Sequence, residues 1–97
     1  MQAQMILSTK DVWPDGAVVQ MVVWRLPQPS AERPHGLKYR LYCGRHDRCL
    51  VRYDNERGKG DHRHEGETET PYHFKSLLGL IEDFREDVRR LAGENYV

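Results

Sequence analysis

The chain has 97 residues, of which 38% are hydrophobic and 31% charged, with 15 basic and 15 acidic side chains. That length fits one domain, residues 1–97, with a single modest core, and the composition is polar without being that of a disordered chain. Zero net charge argues against strong non-specific nucleic-acid binding. The apolar stretches are far short of a membrane span, and two Cys with no basic-then-apolar leader point to a cytoplasmic protein with reduced thiols. The charge is nevertheless unevenly placed. Residues 33–64 carry nine Lys/Arg against four Asp/Glu and hold four of the five His, whereas residues 65–97 carry four against eight. A basic middle beside an acidic end suits two faces of one domain, or a nucleic acid on one face and a protein on another.

In chain order, residues 3–12 (with Met5-Ile6-Leu7 and Val12-Trp13) read as a weak strand. Pro14-Asp15-Gly16 is a turn, because Pro presets φ and Gly permits φ > 0. Ala17 to Leu26 (AVVQMVVWRL) is the strongest β signal, with apolar residues on both parities, as in a strand covered on both faces. Pro27, Pro29, Ser30, Pro34 and Gly36 make residues 27–36 a loop. Residues 37–54 read as a hairpin. Pairing Leu41 with Val51 sets Tyr39 opposite Tyr53 and Cys43 opposite Cys49 on one face, leaving Gly44–Arg48 as a five-residue loop. Arg40 then opposes Arg52, a like-charge pair that a phosphate or acidic side chains of a neighbouring strand or partner would relieve, unless both Arg simply splay into water. A short strand is expected through Thr70–Phe74, with Pro71 confining it to an edge or a strand start.

The last element is a helix with Ser76 as N-cap and Gly93 as its stop. Leu77, Leu80, Ile81, Phe84, Val88 and Leu91 form its core stripe, and Glu82, Asp83, Arg85, Glu86, Arg89 and Arg90 its polar face. Gly79 stands where an acidic or amide residue would complete a capping box. Trp13, Trp24, Tyr72 and Tyr96 are expected in the core, with base stacking as the alternative. The fold class that follows is α+β, an antiparallel sheet of four to five strands in meander order with one C-terminal helix packed on one face.

Tyr53 to His64 (YDNERGKGDHRH) is the segment with chemistry. It holds three carboxylates, three cationic side chains, two His and two Gly, with no aliphatic residue. Gly58-Lys59-Gly60 offers backbone N–H groups and a cation to an anion, or is an ordinary glycine turn. If the chain is extended, His62 and His64 point the same way. Paired imidazoles either ligate a zinc- or nickel-like ion, with another ligand from Asp54, Asp61, His73 or a Cys, or act as general base and acid. An exposed basic loop is the plain alternative. Cys43 and Cys49 lie too far apart in sequence for a usual zinc knuckle and read as free thiols.

The order YDN-x-x-GKGDHRH resembles the TumE family, the toxins of bacterial toxin–antitoxin pairs. Trp13-Pro14-Asp15-Gly16, the Val-rich strand ending in Trp24, Lys38-Tyr39-Arg40-Leu41, Pro71-Tyr72, Ser76-Leu77 and Asp83-Phe84 are similar to that family in the same order. The resemblance spans roughly residues 12–92 and implies a small α+β toxin paired with a helix-turn-helix antitoxin. RNA is the expected target, and the expected activity is that of a small metal-independent ribonuclease. The alternative is a non-enzymatic module that binds an anion, a metal or a protein. In the first case His62 and His64 share the acid–base work, Asp61 or Asp54 orients an imidazole, and Lys59 and Arg57 hold phosphate. Arg40, Arg52, Arg63 and Tyr53 complete the RNA-binding set. No cofactor, no metal and no membrane are expected, and a homodimer is compatible with this reading.

Overall fold

The computed structural model describes residues 2–56 and 60–93. Six strands, β1 (Gln4–Val12), β2 (Ala17–Arg25), β3 (Leu37–Arg45), β4 (Arg48–Asp54), β5 (His62–Glu65) and β6 (Thr68–Pro71), precede one helix, α1 (Leu77–Ala92). The strands lie in chain order, and every neighbouring pair is antiparallel. The sheet therefore has six strands, not four to five. The additional strand is β5, cut from the polar segment, while β6 starts and ends earlier than the expected Thr70–Phe74.

Each connection has a local cause. Trp13–Gly16 closes with Gly16 N–H donating to Trp13 O at 3.0 Å, and Asp15 Oδ1 accepts from Ala17 N–H at 3.0 Å. The β3–β4 hairpin turns on His46 and Asp47 alone, both at positive φ (52° and 61°), which is the two-residue turn whose twist matches the strands. The expected five-residue loop is thus shorter, and the register shifts with it. Leu41 pairs with Tyr53, Cys43 with Val51, and Arg40 with Asp54. Arg40 does not oppose Arg52, so the like-charge pair is replaced by an opposite-charge one; Tyr42 faces Arg52 instead. A bulge between Cys43 and Gly44 sets Cys49 opposite Gly44, and both Cys are free thiols.

The core lies on the helix side of the sheet. Val19, Met21 and Val23 of β2, Tyr39, Leu41 and Cys43 of β3, and Val51 and Tyr53 of β4 pack with Leu80, Phe84 and Val88 of α1. α1 is amphipathic as its spacing requires, and it rests on β3 and β4. Ser76 caps it, its Oγ accepting from Gly79 N–H at 2.9 Å, and Gly93 ends it at φ 120°. Strand β2 is not covered on both faces. Its odd-numbered residues from Ala17 to Val23 are buried, whereas Val18, Gln20, Val22 and Trp24 are only partly so. Trp13 and Tyr72 pack against the core as expected, but Trp24 sits outside it, and Tyr96 lies outside the described residues.

Candidate functional site

The face of the sheet turned away from α1 has a sequence-determined pattern. In an antiparallel sheet, paired residues share a face. One row therefore runs Val22–Arg40–Asp54–His62 across β2 to β5, and the next runs Gln20–Tyr42–Arg52–His64–Glu69 across β2 to β6. The two His stand two residues apart on β5, their ring centroids 5.0 Å from each other in an edge-on arrangement.

Their surroundings differ. His62 has oxygen at both nitrogens: Nδ1 lies 3.0 Å from Gly60 O, and Nε2 lies 2.7 Å from Asp54 Oδ1, with Glu69 Oε2 at 3.4 Å. The first of these is a hydrogen bond and the second a short ionic contact that is not aligned as one. His64 Nε2 lies 2.9 Å from an NH2 nitrogen of Arg52, with the same Glu69 oxygen farther off at 3.6 Å. A guanidinium only donates, so Nε2 must accept and the ring must be neutral with its proton on Nδ1. Burial, reinforced by the Arg52 charge, accordingly holds the His64 pKa below the usual imidazole range.

Asp54 joins the two halves. It is 5% exposed, and Arg52 Nε lies 2.8 Å from its Oδ2. Asp54 Oδ1 and Arg52 Nε are buried without an aligned hydrogen bond, despite these short ionic contacts. The cluster is thus close but imperfectly satisfied, and such buried polar atoms are costly unless a ligand or a reaction uses them. A groove of about 260 Å³ opens beside it, lined by His62, Glu69, Thr70 and Pro71.

Other candidates are brought elsewhere. Asp61 lies on the helix side, where Oδ1 accepts from Tyr39 Oη at 2.7 Å and Asn55 Nδ2 at 3.2 Å and meets His35 Nε2 at 3.0 Å. His35 Nδ1 accepts from Leu37 N–H, so the imidazole that Asp61 orients is His35. Arg63 also faces α1: its Nε donates to Asp87 Oδ2 at 2.8 Å and to Tyr53 Oη at 3.2 Å, and it pairs with Glu65. Tyr53 Oη donates to the same Asp87 oxygen at 2.5 Å. Tyr53, Asp61 and Arg63 therefore stand apart from the His pair, while Arg40, Arg52 and Asp54 stand beside it. Arg57 and Lys59 lie outside the described residues.

Two participants were missed from sequence. Asp87 follows the apolar residues Leu80 and Phe84 along the inner face of α1, and that position was its signal. Burial pushes its carboxyl up, but hydrogen bonds from Arg63, Tyr53 and Arg90 hold it below its usual range. Glu69 had no signal, since a lone Glu near Pro71 is ordinary. On the outer face Gly44 has a definite role as well. A Cβ there would fall 2.1 Å from Tyr42 Oη, so only Gly lets the Tyr42 ring lie along the strand, where Arg40 stacks on it at 5.0 Å.

Among the described residues, Asp54, His62 and His64 also form a group whose ligand atoms all lie within 4.8 Å of one another. No helix among them is long and apolar enough to cross a membrane.

Fold and site together define a small α+β protein that carries a cluster of His, Arg and carboxylate side chains on the sheet face turned away from α1. The chain matches the family model described as Toxin TumE over residues 4–92, and it belongs to that family. No curated protein and no solved structure matches it significantly.

Proposed function

We propose that this chain is the toxin of a toxin–antitoxin pair and acts on RNA as a metal-independent ribonuclease centred on His62 and His64. The observation that carries the reading is the unlike setting of the two rings, one facing a guanidinium donor and the other facing oxygen at both nitrogens. Metal-free RNA cleavage needs a base and an acid at once. His64 is the base and takes the 2′-hydroxyl proton. The 2′-oxygen then bonds to phosphorus, and the P–O5′ bond breaks as His62 delivers its proton to the leaving oxygen. The products are a 2′,3′-cyclic phosphate and a free 5′-hydroxyl.

Arg52 has a double role in this scheme. It holds His64 neutral before substrate arrives, and an incoming phosphate offers its guanidinium a stronger, charge-assisted partner. The move frees His64 Nε2 and leaves a cation against the charge that builds on the phosphorane. Asp54 keeps His62 and Arg52 in place, and Arg57 and Lys59, which follow it in the sequence, are the phosphate-holding cations of this reading. The membership of the chain in a toxin family supports an antitoxin as the protein partner, for which we propose a helix-turn-helix protein.

The test is incubation of purified protein with single-stranded RNA in excess EDTA, followed by end analysis of the fragments. Cyclic phosphate ends, and resistance of an all-2′-deoxy strand, are expected. Fragments with 5′-phosphate ends, or cleavage that EDTA abolishes, would contradict the reading.

The Asp54–His62–His64 group supports a second reading, a divalent transition-metal module. Arg52 opposes it, because its guanidinium occupies His64 Nε2 and repels a cation. A melting temperature that zinc raises and EDTA lowers would favour this module.

A further inference from the structure

The strongest unassigned feature is a second groove, about 260 Å³ in volume, whose lining includes Gln20, Val22, Trp24, Lys38, Arg40 and Glu56 beside Tyr39. Trp24 is the aromatic expected in the core that the fold instead turns outward. It is paired with Met5 of β1 and Lys38 of β3, and so has a partly buried indole between an apolar neighbour and a cation. Val22 continues the apolar floor beneath it. Among the described residues, neither Lys38 nor Arg40 forms an ion pair with a carboxylate. Arg40 is held on the Tyr42 ring, which points its charge along the face instead of into solvent at random.

An indole over an apolar floor, two cations on one rim, and the hydrogen-bonding ends of Gln20 and Glu56 are the parts of a nucleobase site. Aromatic faces take any base by stacking, and unpaired Lys and Arg follow the phosphates. We infer that this groove is a base-stacking subsite for single-stranded RNA, with Trp24 as its platform and Lys38 and Arg40 as its phosphate contacts. This rests on the reading of the His62–His64 cluster as the cleavage site.

The geometry gives the subsite a definite place on the substrate. His62 and Trp24 are separated by three strand spacings, roughly 14 Å across the sheet. A base on Trp24 therefore belongs to a nucleotide beyond the two that flank the scissile phosphate. Arg40 stands between, directly beside Asp54 in the pairing, so the backbone of the RNA crosses β3 on its way. Trp24 thus adds affinity for long strands and none for a dinucleotide.

The experiment measures binding of fluorescein-labelled, non-cleavable 2′-O-methyl oligonucleotides to the full chain. Wild type, Trp24→Ala, Trp24→Phe and the charge reversal Lys38→Glu/Arg40→Glu are compared on a hexanucleotide and a dinucleotide. The expected result is a loss of about 10- to 100-fold for Trp24→Ala on the hexanucleotide, partial rescue by Trp24→Phe, and no change on the dinucleotide. The charge reversal lowers the slope of log affinity against log salt by about 1.4, the value for two single-strand phosphate contacts. Equal hexanucleotide affinity in wild type and Trp24→Ala, with an unchanged salt slope in the charge reversal, would overturn the subsite and leave the cleavage reading standing. A Trp24-dependent affinity in a protein whose cleavage survives loss of both His would do the reverse. Loss of a protein partner with RNA affinity intact assigns the groove to that partner and overturns the inference.

Discussion

Arg52 and His64 face each other at 2.9 Å across β4 and β5, guanidinium nitrogen to Nε2. After burial, this contact is the main cause of the depressed His64 pKa. Arg52→Gln keeps a donor of similar reach but removes the charge. The His64 pKa then rises towards its ordinary value, and more of the ring is protonated at neutral pH. Imidazole titration by NMR should show the upward move. The acid limb of the cleavage profile should shift to higher pH with it. A His64 titration unchanged by the substitution would show that burial alone sets it.

Asp87 is the polar anchor of α1. It accepts from Tyr53 and Arg63, and Arg90 reaches it as well. Asp87→Ala takes the acceptor from the buried Tyr53 phenol and one of two carboxylate partners from Arg63, which keeps Glu65. The cost should be roughly 2 to 3 kcal/mol in urea unfolding, between that of an unsatisfied buried polar group and that of a broken buried ion pair. Asp87→Asn, which keeps an acceptor, should lose less.

The hairpin turn carries two non-Gly residues at positive φ, His46 and Asp47. Asn-Gly is the sequence that this turn prefers. The double change His46→Asn/Asp47→Gly removes strain of about 1 kcal/mol and should raise the melting temperature by several degrees. A lowered melting temperature would mean that His46, which lies over Gly16, has a packing role that outweighs the strain.

Alkaline stability should be limited by the thiols. Burial pushes the Cys43 thiol up to about 11 and raises Cys49 as well. The unfolded chain loses these protons first, so the native state binds more of them and stability falls as pH rises from about 9 towards 11. Cys43→Ala/Cys49→Ala should flatten this slope between about pH 9 and 10, whatever it costs in packing. The phenols of Tyr39, Tyr53 and Tyr72, also raised by burial, add to the loss from about pH 10 upward.

The parts that were legible in the sequence are those written in apolar spacing. The stripe from Leu77 to Leu91 and the inward parity of Tyr39, Leu41, Cys43, Val51 and Tyr53 were correct as to face, whereas the bulge beside Gly44 exchanges Leu50 for Cys49 on the core side. The register was two residues off, because the turn chemistry of His46 and Asp47 resembles no favoured pair and Gly44 drew the loop towards itself. Strand β5 left no apolar trace, since Arg63 and Glu65 meet α1 through Asp87 and Arg90 in place of apolar packing. Alternation along β5 puts His62 and His64 on one face, as expected of an extended chain, and turns Arg63, assigned from sequence to the same RNA-binding set, to the other. Trp24 was misplaced for a related reason: a Val-rich strand reads as doubly covered, yet one helix can cover only one face.

The central claim is that His62 and His64 perform the cleavage. Its most direct test is the rate of RNA cleavage by purified wild type and by His62→Ala, His64→Ala and the double variant, each with its unfolding midpoint measured. We predict loss of at least about 100-fold in each single variant, no further large loss in the double, and midpoints that show all of them folded. A folded double variant that cleaves RNA at the wild-type rate would contradict the account.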